Sequence, residues 1–460
     1  MLQKEMTTGE RRVALSLAGV FSARMLGLFM IVPVFALYAK ELDGYSPSLA
    51  GLAIGIYGLT QAVFQIPLGM LSDRIGRKPV IIAGLILFLL GSIIAAMSDS
   101  LTGIIIGRSM QGAGAIASAV MALAADLTRE ENRIKVMAFI GISIGLSFSV
   151  AMVLGPIIHG WFSLSGIFWT TGLLAVIAIL IVALVVPTPV VHRFHRDTEV
   201  EPEWFKHAVR DTQLLRVDFG IFSLHLIFMA MLIVLPQMLL EQGGLEVQRH
   251  WLVYLPVLFL SILAIVPFII IAEKKHKLKQ VLTGAVIILC LSQVGLYLVS
   301  HTMVNLVFML LLFFAAFNLL EAMLPSLVAK LAPVEHKGTA MGVYSTSQFL
   351  GIFAGASIGG WLVKHYGETS VFIFTLIVGL CWLLFVATMR KPKYLSSHLL
   401  NIGTVTKEQA EDLAKAISQV VGVVETTVIA EDGVAYLKVD KKRLNMEQLQ
   451  AYSNNNVAIA

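Results

Sequence analysis

Cysteine is nearly absent: the 460 residues contain two, Cys290 and Cys381, and both stand inside apolar runs. Two such thiols support neither a disulfide framework nor a cysteine-based metal site, which leaves plain packing as their role. Charge is almost as scarce, at 14% of residues against 57% hydrophobic, and mean hydropathy is +0.83. A soluble domain keeps about a quarter of its residues charged, so most of this chain is matched to lipid. Also missing is a Gly-rich phosphate-binding loop that could support ATP hydrolysis. A gradient is therefore the expected energy source, and no cofactor is expected.

What fills the chain is apolar sequence in runs of membrane-spanning length. Twelve runs stand between charged or Gly-, Pro- and Asn-marked breaks, at about 12–39, 47–71, 79–97, 101–127, 135–159, 164–187, 214–240, 248–272, 279–299, 302–330, 338–363 and 368–389. About 20 apolar residues in a helix cross the hydrocarbon core. The chain therefore reads as an all-α polytopic membrane protein with twelve transmembrane helices. Cations sort by loop: Arg74, Arg77, Lys78, Arg129, Arg133, Lys135, Lys274, Lys275, Lys277, Lys279, Lys330 and Lys337 share one side. The other side has little beyond Lys40, Arg249 and Lys364. The positive-inside bias puts the basic side and both termini in the cytoplasm. It also accounts for the net charge of +5 and the pI near 9.1 without a nucleic-acid partner. The first run is longer than a signal-peptide core and lacks a convincing cleavage site, so it is expected to stay as the first span.

Residues 69–78, Gly-Met-Leu-Ser-Asp-Arg-Ile-Gly-Arg-Lys, make a charged turn between the second and third runs. In it, Gly69, Asp73, Arg74, Gly76, Arg77 and Lys78 resemble the loop signature of the major facilitator superfamily. Arg108-Ser109-Met110-Gln111-Gly112 in the fourth run resembles that family's second signature, in which an intramembrane arginine is linked to proton transfer. Gly145, Gly155, Pro156 and Gly160 partly match its antiporter signature, with Ala151 and His159 where two glycines are expected. Gly351, Gly355, Gly359 and Gly360 repeat the pattern in the eleventh run. Whole-chain order is similar to the drug/proton antiporter branch. The resemblance implies a multi-pass protein of the bacterial inner membrane whose two six-helix halves surround a midplane site. It further implies proton-coupled export of small organic or drug-like compounds by alternating access, with no enzymatic activity. Two alternatives stay open: a proton-coupled uptake symporter, and a solute sensor that signals through its C-terminal domain. Expected partners are the lipid bilayer, protons and a small molecule whose identity is not readable.

Shifting the chain by about 200 residues exposes an internal repeat. Gly155-Pro156 with Gly160 and Trp161 falls on Gly355-Ala356 with Gly360 and Trp361, the Asp73-Arg74 pair on Glu273-Lys274, and Arg24 beside His225. Expected domains are an N-terminal half over 1–188, a cytoplasmic linker over 189–212, a C-terminal half over 213–392 and a small domain over 396–454. The linker, with His192, Arg193, His195, Arg196, Trp204, Lys206 and His207, is either a surface amphipathic helix or simply solvated. In the terminal region a first strand near 399–403 precedes a helix whose capping box runs from Thr406 to Gln409. Ala410, Leu413, Ala414, Ile417 and Val421 give that helix one apolar stripe. Strands over 423–430 and 434–439 flank Glu431-Asp432-Gly433, and a second helix covers 445–452. This order predicts a ferredoxin-like α+β domain similar to the heavy-metal-associated domain. No cysteine pair occupies 403–410, so soft-metal binding is not expected. Its partner is open between the transporter body, another copy and an unknown protein.

Ionisable residues at membrane depth are few, and each is expensive to hold there. Arg24, Arg108, His225 and Glu321, with Gln111 one turn from Arg108, are the candidates for proton coupling or a cavity. Glu321 is the only carboxylate well inside the expected spans, which makes it the leading proton carrier. Tyr57, Gln61 and Gln65 in the second span, and Tyr344 and Gln348 in the eleventh, recur at helical spacing and either line the cavity or pack. At the inner face Asp126 resembles the acid that pairs with the loop arginine, Arg77. Asp73 is expected to meet the start of the eleventh helix near Gly338 when the inner mouth is shut.

Overall fold

Thr7 starts the first helix by capping it: its hydroxyl accepts from the Glu10 amide at 3.2 Å, and the Glu10 carboxylate accepts from the Thr7 amide at 2.9 Å. The computed structural model describes residues 6–188, 202–298, 302–333, 336–390, 396–403, 405–430, 433–440 and 443–453. The N-terminal half is built from α1 (Thr8–Phe29), α2 (Val32–Tyr38), α3 (Pro47–Ile75), α4 (Arg77–Ala96), α5 (Leu101–Ala113), α6 (Ala117–Asp126) and α7 (Glu130–Leu180). A short α8 (Pro202–Ala208) stands in the linker, whose residues 189–201 lie outside the described residues. The C-terminal half follows as α9 (Thr212–Glu241), α10 (Trp251–Lys274), α11 (Leu278–Leu298), α12 (Met303–Leu331), α13 (Lys337–Tyr366) and α14 (Thr369–Ala387).

Eleven described helical segments are long and apolar enough to cross a membrane. The difference from twelve lies in α7, whose 51 residues hold two spans. At about 1.5 Å per residue it is more than twice the length of one crossing, and Ser163 breaks it with φ 62° and ψ −171°. The chain turns back at that one residue, so the fifth and sixth spans carry no separate loop. Two other spans are interrupted within themselves. The first breaks between α1 and α2 just before Pro33, and the fourth breaks at Gly114, where a side chain would strike the Gly84 carbonyl.

Glycine sets how closely the helices approach. Within the N-terminal half a side chain on Gly155 would meet the Met30 carbonyl; within the C-terminal half one on Gly355 would meet that of Leu226. The repeat seen in the sequence is thus a repeated packing contact. A second repeated contact lies at the basic face, where Lys78 donates to the Val186 carbonyl at 2.8 Å and Lys279 donates to those of Ala387 and Met389 at 2.8 and 2.7 Å. Each lysine ties the end of the last helix of its half.

The two halves meet away from that face. Gly51, Gly55 and Gly58 on α3 lie against the backbone of Ala356, Phe353 and Phe349 on α13, and Gly360 lies against Pro47. At the same end Lys40 donates to Gln237 at 3.2 Å. Burial and the nearby Glu241 push the Glu368 carboxyl above its ordinary range there, against the opposing pull of Lys40. Midway along, Phe148 of α7 packs edge-on to Phe228 of α9 at 5.5 Å. These contacts shut the far end.

The terminal region forms β1 (Ser396–Asn401), α15 (Lys407–Ser418), β2 (Val423–Ile429), β3 (Val434–Val439) and α16 (Met446–Gln450). The antiparallel sheet has order β1-β3-β2, with α15 crossing from one edge to the other. This is the ferredoxin-like arrangement of the first three strands. Thr406 and Gln409 exchange the capping-box bonds. The apolar stripe departs from expectation at its end. Because α15 stops at Ser418, Val420 is buried and Val421 is 61% exposed. Gly433 takes the positive φ of the turn, while residues 431–432 lie outside the described residues.

Candidate transport site and gate

The residues of the charged turn gather where α3 gives way to α4. Gly76, at φ 98°, lets the chain end one helix and begin the next without a loop. That turn places Arg77 in the interior, 3% exposed. Its guanidinium pairs with Asp73, donates to the Ser72 hydroxyl at 2.9 Å and donates to Asp126 at 3.3 Å. Asp126 closes α6, and its side chain is fully buried. Gly69 admits Ser118 of α6, whose hydroxyl donates to the Gln65 carbonyl at 2.9 Å. Arg74 is exposed and Lys78 ties α7 as described. In this state Asp73 bonds within its own half, with a side chain 28% exposed, while the far ends of α3 and α13 are locked. The close contacts between α3 and α13 thus lie at the ends away from the basic face.

The helix-packing residues divide by role. Gly155, Gly351 and Gly355 sit against backbone, Gly359 sits against Ala230, and Gly160 sits against Gln248 of the other half. Gly145 departs from the expectation, because a side chain there would meet nothing within 4 Å. Pro156 lies within α7, and His159 stacks on Tyr38 with centroids 3.5 Å apart.

Two buried cations occupy the N-terminal half. Arg24 donates to Gln61, and Gln61 donates to Gln65 at 3.2 Å. Arg108 donates to Gln111 at 3.1 Å, and Gln111 donates to Ser92 at 2.8 Å. Tyr57 lies between them, its ring centroid 5.9 Å from one guanidinium and 4.9 Å from the other. All of these side chains are buried inside the half rather than facing the cleft. Among the described residues neither arginine forms an ion pair, so their charge is stabilised by amides and by the ring.

The acidic counterpart is in the C-terminal half. The Gln348 amide of α13 donates to His225 Nε2 of α9 at 2.9 Å and to Glu321 Oε1 of α12 at 3.3 Å. His225 Nδ1 lies 3.2 Å from the Ile221 carbonyl. Both ring nitrogens are therefore engaged, one by a backbone carbonyl and one by the amide of Gln348. Glu321 is partly open, 37% exposed, whereas His225 is 4% exposed. His225 Nε2 stands 3.9 Å from Glu321 Oε2, beyond hydrogen-bond length, and that oxygen has no hydrogen-bond partner. Phe228, Phe313, Phe314 and Phe317 wall the site above, with His225 5.8 Å from the Phe317 centroid. The arrangement brings a part-exposed carboxyl group, a neutral amide and an imidazole within reach of one another inside the C-terminal half. Sequence reading brought Glu321, His225 and Gln348 forward separately, and the structure joins them. It passed over Asp218 of α9, only 5% exposed, because Asp218 lies near the expected end of its span. Its seven-residue spacing from His225 puts both on one helical face, and that was the signal available.

Twelve crossings in two repeated halves, joined at the end away from the basic face, with the turn over residues 69–78 at that face, define a membrane transporter of the Major Facilitator Superfamily. The profile of that family matches residues 17–356 and 281–403, and the chain belongs to it. Among characterised relatives it is 45% identical over 447 residues to the inner membrane transport protein YajR of Escherichia coli K12, covering 97% of this chain and 98% of the relative. It is 24% identical over 344 residues to the multidrug resistance protein MdtH of Yersinia pestis, covering 74% and 83%. A bacterial homologue of the human lysosomal transporter Spinster, solved in an inward-facing and occupied conformation, shares the fold with a TM-score of 0.69 at 12% identity. That likeness covers 83% of this chain and 97% of the solved one.

Proposed function

We infer that this protein exports small organic compounds across the bacterial inner membrane in exchange for protons, with its basic face in the cytoplasm. The observation that carries the reading is Glu321, a part-exposed acid within a span that accepts from the Gln348 amide beside His225. An acid held at membrane depth is costly when charged, so its protonation favours whichever state buries it further. Proton entry from outside and release to the cytoplasm would then bias which end is open. Similarity to MdtH, a multidrug resistance protein by name, supports drug-like substrates and export.

The test is a panel of organic compounds offered to proteoliposomes of the full chain, with a pH gradient imposed and a fluorescent proton reporter inside. The expected result is proton movement that appears only with particular compounds and runs opposite to them. Movement of both in the same direction would overturn export in favour of symport.

A further inference from the structure

We propose that the groove between the start of α1 and the turn that ends the N-terminal half holds an anionic phospholipid. Its phosphate meets Arg11 and Arg12, and the upper part of one acyl chain runs along Leu15, Ile181 and Val185.

One wall is a helix face. Thr8 stands four residues before Arg12, and Arg11 four before Leu15, so the four share one side of α1 with the cations nearer its start. Ser16 continues that side, but its hydroxyl donates to the Arg12 carbonyl at 2.8 Å, which leaves the deeper part of the wall apolar. The opposite wall is a single π-helical turn over Ile181–Val185, closed by the Val186 amide donating to the Ile181 carbonyl at 3.1 Å. At its deep end the groove closes at Gly19, where a side chain would stand 3.9 Å from Ile181. The cavity between the walls has a volume of about 490 Å³, within the range of about 300–1,000 Å³ usual for small-molecule clefts.

Depth selects the occupant. The first span, Thr8–Glu41, has 34 residues, about 50 Å of helix at about 1.5 Å per residue, against about 40–45 Å for a bilayer with its headgroups. Arg12 lies about 6 Å from the start of α1 and Leu15 about 10 Å, so the guanidinium groups are level with the headgroup layer and the leucine with the first methylenes. Both arginines are exposed, Leu15 is 62% exposed, and Leu184 on the π-helical turn is 74% exposed.

Charge agrees with depth. Glu10, the acid next to the pair, is buried against Arg129 and Asn132 of α7, so its charge is compensated there. Lys78 stands at the same end and holds the Val186 carbonyl at 2.8 Å. Guanidinium groups match phosphate oxygens in charge and geometry, and basic pockets between membrane helices at headgroup level recognise anionic lipid. A soluble anion would use the arginines and gain nothing from the apolar walls below them.

Native mass spectrometry of the full chain, released from detergent with phosphatidylglycerol and phosphatidylcholine of equal chain length, reads the site. The unaltered chain should retain phosphatidylglycerol about tenfold or more over phosphatidylcholine. Arg11→Gln combined with Arg12→Gln should abolish the preference, and Arg11→Lys with Arg12→Lys should keep most of it. Val185→Trp, which fills the groove and keeps every charge, should also lower phosphatidylglycerol retention. Lys274→Gln with Lys275→Gln, an exposed pair at the same face, should change nothing. A preference that survives the arginine-to-glutamine pair, or that is unaffected by Val185→Trp, would overturn the site. Equal loss with the lysine pair would also overturn it, in favour of attraction to the basic face as a whole. Displacement of the lipid by inorganic phosphate at equal concentration would overturn a lipid occupant in favour of a soluble anion.

Discussion

Replacing Glu321 by Gln is expected to abolish proton-driven transport, lowering its initial rate about 100-fold or more while the protein remains folded. Gln keeps the shape of the side chain and can still meet the Gln348 amide, which bonds the native carboxylate at 3.3 Å. It cannot ionise. The site would be held in its neutral form, so the pH gradient would lose its hold on the two conformations. Substrate exchange between equal pools needs no net proton movement and should survive. Paired assays in proteoliposomes, one driven by a pH gradient and one by substrate counterflow, read the two directly. Loss of both would make Glu321 a binding or folding residue, and loss of neither would exclude it. His225 is expected to matter less, because a backbone carbonyl and Gln348 already engage both of its ring nitrogens.

The second large effect falls on stability. Arg77→Met should cost about 3 kcal/mol of unfolding free energy, since breaking one partner out of a buried ion pair typically costs about 3–5 kcal/mol. The guanidinium is 3% exposed, and the Asp126 side chain opposite is fully buried. The substitution would leave that carboxylate and the Ser72 hydroxyl without their shared donor. Asp73, 28% exposed, can turn to water and contributes little to the loss. Adding Asp126→Leu should recover part of it, because the buried carboxylate is then removed along with the cation that compensates it. Thermal unfolding in detergent for the single and double variants tests this. Equal loss in both would mean that Arg77 acts through packing alone.

The twelve crossings were legible because membrane-spanning length is written in local composition. Residues 69–78 were legible for a different reason: a turn with no loop needs Gly76, and Asp73 stands one helical turn before Arg77, close enough to pair with it. The boundary inside α7 was not. One strained residue, Ser163, does the work of a loop, and Ser carries no marker for it. Glu321, His225 and Gln348 could each be named, yet their union depends on how α9, α12 and α13 pack, which local sequence does not encode. Glu10 is the clearest omission at the inner end. It accepts from the Arg129 amide and guanidinium and from Asn132 at 2.8–3.1 Å, tying the start of α1 to the start of α7. Acid and partners lie 119 and 122 residues apart.

The proposed exchange of compounds for protons predicts a seesaw: α3 and α13, which touch at the ends away from the basic face, part there as the basic ends close. Spin-label distances can watch both ends at once, with one pair at Ile75 and Lys337 and the other at the lipid-exposed Leu49 and Trp361. Lowering the pH, or introducing Glu321→Gln, should shift the two distance distributions in opposite directions, one lengthening as the other shortens. Distributions that stay fixed, or that lengthen together, would contradict it.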